Sequence, residues 1–391
     1  MSDKYSFENK KILVLTSSYP FHSEDYHALF VHEMNQALLQ MKASHITVLT
    51  PLVPDAKRHE YIDNIEIKRF SYLGFDEKTS NPTGSDGIVE NIKAKPYLMM
   101  LLPSLFLAFL HHAHKESLRH DLIISHWLLP SGLIGSFFRL PHLALAHGSE
   151  VQLLTKLPLK RQILIQILKH SQIHSTSAFL DKKLKKILND SHYSEQLELT
   201  RLGIWSDQKI AQDRLQYRKE ETFQLLFMGR ILRSKGIERL LKLLPLLRNC
   251  SLTFVGDGRD LSWLRQEIAK QQLPARAIGS LRGQEKAQIL AQSHLFLFLP
   301  EESHHENLPI SLLESLAYGL PPLSLDKGGI TEILTHHYNS IIIKNNDLQD
   351  IAQKITVLQN DPSFWSQLSQ NAFLSVQSFQ WTKQIERFQG K

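Results

Sequence analysis

Arg230 and Lys235 stand five positions apart in the run Gly229-Arg-Ile-Leu-Arg-Ser-Lys-Gly236. A guanidinium and an ammonium on one loop can hold an anion, and the leading glycine lets the backbone turn tightly. A second pair is acidic. Glu306 and Glu314 enclose seven residues in Glu306-Asn-Leu-Pro-Ile-Ser-Leu-Leu-Glu314. Pro309 favours a helix start between them. Glu306 then falls in a loop and Glu314 within the helix, whose buried stripe would be Ile310, Leu313, Leu316 and Ala317. A loop carboxylate can accept hydrogen bonds from sugar hydroxyls, the free N–H groups of a helix start suit phosphate, and Glu314 can reach a ribose. The third signal is Lys327-Gly-Gly-Ile330 followed by Glu332. Paired glycines after a strand permit close backbone approach to a ligand. Each piece alone also reads as something plainer: a basic surface loop, a carboxylate on a helix dipole, a turn. The weight lies in their co-occurrence after three strands of one sheet, at one edge.

The elements that would position these loops are legible as short apolar runs separated by helical stretches. In the first half they are Ile12–Thr16, His45–Thr50, Ile65–Phe70, Asp121–Ser125, His142–His147, Ile173–Ser177 and Leu197–Leu202. In the second they are Gln224–Met228, Ser251–Val255, Ala275–Gly279, His294–Leu299, Pro322–Leu325 and Ile341–Lys344. Several are continuous rather than alternating, the pattern of strands covered on both faces in a parallel sheet. The alternation predicts βαβ units with right-handed crossovers. The pattern restarts after the polar stretch 206–222, so two doubly wound α/β domains are expected: 1–205, a linker over 206–222, and 223–360. Residues 361–391 read as helix returning to the first domain. Ligands of such sheets bind at the carboxyl ends of the strands, here expected in a central cleft that the two domains face.

The 391-residue length fits two domains. Hydrophobic residues make up 42% and charged residues 21%, a globular rather than a disordered balance. The net charge of +6 is too mild to indicate nucleic acid. Cys250 is the single cysteine, which excludes a disulfide framework and fits a reducing compartment. No Cys/His spacing resembles a zinc site. Met1 to Lys11 lacks the apolar core of a signal peptide. The most apolar window, Tyr97–Leu110, reads as too short for a bilayer and as interrupted by Pro103. A cytoplasmic protein, soluble or bound to the inner membrane face, is expected.

The order of these pieces resembles family four of the glycosyltransferases, the retaining, group 1 type with the GT-B fold of two Rossmann-like domains. Phe227-Met-Gly-Arg-Ile-Leu-Arg-Ser-Lys-Gly236 resembles that family's diphosphate-binding strand and loop. Phe254-Val-Gly-Asp-Gly258 resembles the next strand end, Glu306 to Glu314 the family's Glu, seven residues, Glu motif, and Gly319-Leu-Pro321 through Gly328, Gly329 and Glu332 the segment after it. Trp381 matches an aromatic in the returning helix. The resemblance implies a nucleotide diphosphate sugar as donor and no metal cofactor. Arg230 and Lys235 would stabilise the leaving diphosphate, Glu306 would position the sugar and Glu314 the ribose. Gly229, Asn307, Leu308, Gly328 and Gly329 would line the donor, with the base near Arg282-Gly283. No side chain is an evident covalent nucleophile, so front-face attack with retention is expected.

The first half matches more loosely. His126-Trp-Leu-Leu-Pro-Ser-Gly132 and Ala146-His-Gly-Ser149 resemble acceptor-side loops. In the family a histidine at the position of His147 lies near the transferred sugar; a structural histidine is the other reading. The first loop departs from the family, with Thr16-Ser-Ser-Tyr-Pro20 in place of paired glycines. Between Lys156 and Lys186 lie eight basic residues and one acid, Asp181. That run could dock on anionic lipid or be a solvated helix face. It lacks the interleaved aromatics of a nucleic-acid binder. The expected activity is transfer of a hexose-type sugar to a glycan or lipid-linked acceptor, in bacterial surface polysaccharide or glycolipid synthesis. The alternatives are a nucleotide-sugar epimerase of the same fold and a non-catalytic GT-B subunit.

Overall fold

A computed structural model describes residues 6–22, 25, 27–54, 56–72, 88, 91–92, 95–189, 192–206, 222–301 and 307–388. The chain divides into two compact units, one of residues 1–203 with 381–391, the other of 204–380.

The first unit holds an eight-stranded sheet in the order β3-β4-β2-β1-β5-β6-β7-β8. Its strands are β1 Lys11–Leu15, β2 His45–Pro51, β3 His59–Ile62, β4 Ile65–Phe70, β5 Leu122–His126, β6 His142–Ala146, β7 Gln172–Ser175 and β8 Leu197–Leu199. All neighbours pair in parallel except β3 with β4. β3 is absent from the sequence reading. Its residues His59 and Tyr61 face outward, so no apolar run marks it, and an Asp63-Asn64 turn with both residues at positive φ folds it back on β4. The helices are α1 Leu29–Gln40, α2 Leu102–Ser117, α3 Leu133–Gly135, α4 Ser149–Lys156, α5 Lys160–Leu168, α6 Ala178–Leu188 and, from the chain end, Trp381–Phe388.

The second unit holds a six-stranded, all-parallel sheet in the order β11-β10-β9-β12-β13-β14. Its strands are β9 Phe223–Met228, β10 Cys250–Val255, β11 Ala275–Gly279, β12 Leu295–Phe298, β13 Pro322–Leu325 and β14 Ile341–Ile343. Around it run α7 Ile237–Leu243, α8 Leu261–Lys270, α9 Gly283–Gln292, α10 Ile310–Ala317, α11 Leu348–Asn360 and α12 Pro362–Ser375. Both faces carry apolar cores, one centred on Phe227, Phe254 and Leu297, the other on Leu226, Phe296 and Leu312. This double burial is why the strands read as unbroken apolar runs.

Two expectations need correction. Residues 361–391 do not all return to the first unit. α12 stays with the second, where Trp365 Nε1 donates to the His294 carbonyl at 2.7 Å and Ser369 Oγ to that of Gly319 at 2.6 Å. Only α13, Trp381–Phe388, belongs to the first unit, packed on α1. Of the expected linker, 207–221 lies outside the described residues. The second correction concerns the apolar window. Pro103 falls in the first turn of α2, where its missing N–H costs nothing, and a 3-10 turn, Pro96–Leu101, leads directly into it. The result is one 22-residue helix, Pro96–Ser117, that by length and composition could cross a membrane.

Candidate active site

In an open parallel sheet the ligand edge is sharpest where strand order reverses. In the second unit that point lies between β9 and β12. The β9 loop holds Gly229, Arg230 and Lys235. Gly229, at φ 152°, donates its N–H to the Val255 carbonyl at 3.0 Å, and Ile231 donates to Asp257 at 2.8 Å. These bonds fasten the Arg230 loop to the loop after β10. The packing there leaves no room for side chains: a Cβ on Gly256 would sit 1.9 Å from the Gly229 oxygen, and one on Gly258 2.5 Å from the Ile231 oxygen. Lys235 ends a short 3-10 turn, and its Nζ lies 5.9 Å from the Phe298 ring centroid at the end of β12. Gly236 packs against the Leu299 carbonyl, and Glu301 donates its N–H to the Ser234 carbonyl at 3.0 Å. The β9 and β12 loops are thereby joined through main chain.

Arg239, which the sequence reading passed over, completes the join. Its Nη1 donates to the carbonyls of Leu299 and Pro300 at 2.8 and 2.9 Å, and its Nη2 pairs with Glu301 at 3.0 Å. An arginine one turn into the helix after an Arg/Lys loop was its only sequence signal. Glu306 lies outside the described residues. Asn307 and Leu308 lie beyond it, before α10, and the Asn307 carbonyl is 2.2 Å from where a Cβ on Gly329 would stand. Gly328 adopts φ 61°. The glycine pair thus brings the β13 loop against the backbone before α10. Glu314 accepts a hydrogen bond from Lys286 Nζ of α9 at 2.7 Å, and both side chains are mostly buried. Arg282 occupies the cap position of α9. Arg230, Lys235, Asn307, Glu314, Gly328 and Gly329 therefore all stand on loops or helices at the carboxyl edge of one sheet.

In the first unit the strand order reverses between β1 and β5. The β1 loop has no glycine and is braced by its own side chain: Thr16 Oγ1 donates to the Ser18 carbonyl at 2.8 Å. His126 ends β5 and His147 follows β6. Nδ1 of His126 and Nε2 of His147 lie 3.1 Å apart, with the rings stacked. Phe30, at 4.9 Å, and Trp127, at 5.0 Å, flank the His147 ring. Burial brings His126 down to about 3, and burial with the neighbouring His126 holds His147 well below the usual imidazole range. Both rings are neutral near pH 7. Below them sits a residue the sequence reading missed. The Glu150 carboxylate accepts the backbone N–H of His147 at 2.7 Å and of Gly148 at 2.9 Å. Burial pushes its carboxyl up to about 7, against the backbone N–H groups that lower it. An acid two positions after a glycine at a helix start was the available signal. Ser149, the first residue of α4, is exposed.

Two doubly wound units, each with its loops gathered at a reversal point, define a GT-B architecture. Residues 209–375, most of the second unit, match the model of the family described as glycosyl transferases, group 1. The chain is similar to the putative teichuronic acid biosynthesis glycosyltransferase TuaC of Bacillus subtilis, with 24% identity over 69% of each chain. Among solved structures it resembles sucrose-phosphate synthase from Thermosynechococcus elongatus, with a TM-score of 0.71 and 18% identity over 97% of this chain and 98% of that one. It also resembles Anabaena HepE in complex with UDP-glucose, with a TM-score of 0.67 and 16% identity over 97% and 99%.

Proposed function

We propose that the chain is a retaining glycosyltransferase that moves a hexose-type sugar from a nucleotide diphosphate sugar onto a glycan or lipid-linked acceptor. The observation that carries this reading is the joined pair of loops after β9 and β12. Main-chain bonds and Arg239 fix them at the reversal point, with Arg230 and Lys235 on the first. Fixed cations at that place stabilise charge as it develops on a leaving diphosphate, with little reorganisation at the moment of reaction. Because these two side chains supply the positive charge, the reading is metal-independent.

The remaining roles are those the family resemblance implies. Glu306 orients the sugar, Glu314 takes the ribose, and Gly328 and Gly329 present backbone to the donor alongside Asn307 and Leu308. Arg282 stands near the base. On the acceptor side, His147 and Ser149 border the sugar-accepting group, and His126, fully buried, supports the His147 ring from behind. The bond from the anomeric carbon to the diphosphate oxygen breaks. The acceptor oxygen bonds to the same face of that carbon, and its proton passes to the departing phosphate. TuaC supports a product among bacterial surface polysaccharides, and HepE supports a UDP-sugar as the first donor to try. A cytoplasmic setting, where nucleotide sugars are available, follows from the reading.

The test is a thermal-shift panel of UDP-, GDP-, dTDP- and ADP-sugars and their diphosphates on the wild type and Arg230→Ala. Stabilisation by one nucleotide that the substitution abolishes is expected. No shift with any of them in a folded protein would overturn the donor assignment.

A further inference from the structure

The N-terminal half of the long helix of the first unit is apolar on both sides. Its inner side, Leu105, Phe109 and Ala113, packs on the sheet with Leu13, Leu49, Phe70 and Ile123. Its outer side carries Met99, 57% exposed, Met100, 83%, and Leu107, 65%. An exposed apolar side on a helix whose other side is already packed marks a second apolar partner. The sequence from Lys95 to Lys115 contains no acid. α3 packs against both α2 and α5, and α5 against α6, so α2, α5 and α6 form one continuous layer on one face of the sheet. Two further exposed apolar side chains, Phe137 after α3 and Leu159 before α5, lie along that layer. The layer also carries the Lys156–Lys186 run. Its single acid, Asp181, is engaged by Lys185 at 2.8 Å, and Arg161, Lys169, Lys182 and Lys186 are exposed.

We propose that this face of the first unit docks on an anionic lipid bilayer, with Met99, Met100 and Leu107 entering the acyl boundary while the Lys156–Lys186 run rests on the headgroups. Charge selects this occupant. A second copy of the same face would bring two strongly basic layers together, whereas an anionic bilayer offers apolar depth and negative charge in one surface. The geometry describes a helix lying in the interface. Its inner side is committed to the protein core, so it does not cross. The inference stands apart from the donor reading, and would bring the enzyme to a lipid-linked acceptor.

The test is co-sedimentation of the full chain with vesicles of phosphatidylcholine, alone or mixed with phosphatidylglycerol. Binding to the mixed vesicles only, weakened by salt, is expected. The Lys182→Gln, Lys185→Gln, Lys186→Gln triple variant should lower partitioning by roughly 100-fold. Met100→Glu with Leu107→Glu should remove the salt-resistant remainder. Cys250 is buried, so Met100→Cys gives a single labelling site, and an environment-sensitive dye there should shift to the blue on the mixed vesicles. No binding at low salt, equal binding to both vesicle types, or an unshifted dye would overturn the proposal. So would self-association that Met100→Glu with Leu107→Glu abolishes, which would assign the face to a second copy. Nucleotide thermal shifts in the same variants should match the wild type, so a failure of docking and a failure of the donor site read out separately.

Discussion

His126 Nδ1 and His147 Nε2 lie 3.1 Å apart with ring planes 6° from parallel. One hydrogen fits between the two nitrogens, so the pair holds together only while at least one of them is unprotonated. Burial brings His126, His142 and His174 each down to about 3. The unfolded chain, with ordinary imidazoles, then binds more protons than the folded one between about 3 and the usual 6.5. Stability from these rings is present above that upper value and is lost as pH falls. At about pH 5 the loss is roughly 2 kcal/mol per ring. Denaturant midpoints followed by near-ultraviolet circular dichroism should fall between pH 7.5 and about pH 5; constant midpoints would contradict neutral, buried rings.

Glu150 carries the opposite sign. Its carboxyl, raised to about 7, stays protonated in the folded chain when the unfolded one has ionised. The stability it gives is full below the ordinary carboxyl value of 4.5 and is lost as pH rises to about 7. Glu150→Gln mimics the protonated form and has no such dependence. Its deficit against the wild type should therefore shrink by up to about 3 kcal/mol from pH 4.5 to 7. Glu150→Ala leaves the His147 and Gly148 N–H groups without this acceptor and should cost about 2 kcal/mol or more at any pH. Parallel unfolding curves of the three proteins check both statements, and a pH-independent gap for Glu150→Gln would refute the first.

Much of this architecture is visible in the sequence, for a definite reason. β9, β10, β12 and β13 are buried on both faces, so each is an apolar run that punctuation by glycine or proline bounds closely. Ile65–Phe70, Ala275–Gly279 and Pro322–Leu325 match their strands end to end. β3 escaped because an exposed edge strand has no such run. α12 was misassigned because helical periodicity says which side is apolar but not which sheet it covers. Arg230 and the Gly328-Gly329 pair are conspicuous because their residue types are unusual at strand ends. Arg239 and Glu150 act on backbone groups through the fold, and no local pattern announces that. The pairing of Lys286 with Glu314 was equally hidden, since it joins two helices.

That pairing bears on the donor site. Lys286 Nζ at 2.7 Å fixes one oxygen of Glu314; on the proposed reading the other oxygen accepts a ribose hydroxyl. Glu314→Ala should weaken nucleotide binding about 10-fold, near 1.4 kcal/mol. Lys286→Met should weaken it less, by loosening the carboxylate. Titration calorimetry with the nucleotide found in the thermal-shift panel separates the two, and equal affinity in Glu314→Ala and wild type would remove Glu314 from the site.

The glycines differ in why they resist substitution. Gly329 has an ordinary φ of −83°, so the obstacle there is space alone: an added Cβ would stand 2.2 Å from the Asn307 carbonyl oxygen. Gly283 has φ 47° and nothing within 4 Å, so the obstacle is backbone strain alone. Gly283→Ala should cost about 1 kcal/mol in stability and, since a Cβ there meets nothing, lower donor affinity less than Gly329→Ala does. Gly329→Ala must push the strand-end loops apart and should lower donor affinity even where the protein folds. Nucleotide affinities of the two variants test the contrast, and reversed effects would sink it.

Trp381 tests the assignment of the chain end. It is fully buried in the first unit, its indole Nε1 donates to Glu33 at 3.2 Å, and it lies so close to Gly203 that a Cβ there would stand 2.4 Å from the ring. Trp381→Ala removes the largest buried side chain of α13 and should cost about 3–5 kcal/mol. Trp381→Phe keeps most of the apolar contact, loses the hydrogen bond, and should cost less. Gly203→Ala should be comparably damaging from the other side of the same contact, because neither the ring nor the backbone behind it has room to yield. All three perturb the first unit, whereas the proposed donor loops belong to the second. Unfolding monitored by circular dichroism should therefore shift early while nucleotide-induced protection of the second unit from proteolysis persists. Loss of both together would mean that the two units unfold as one.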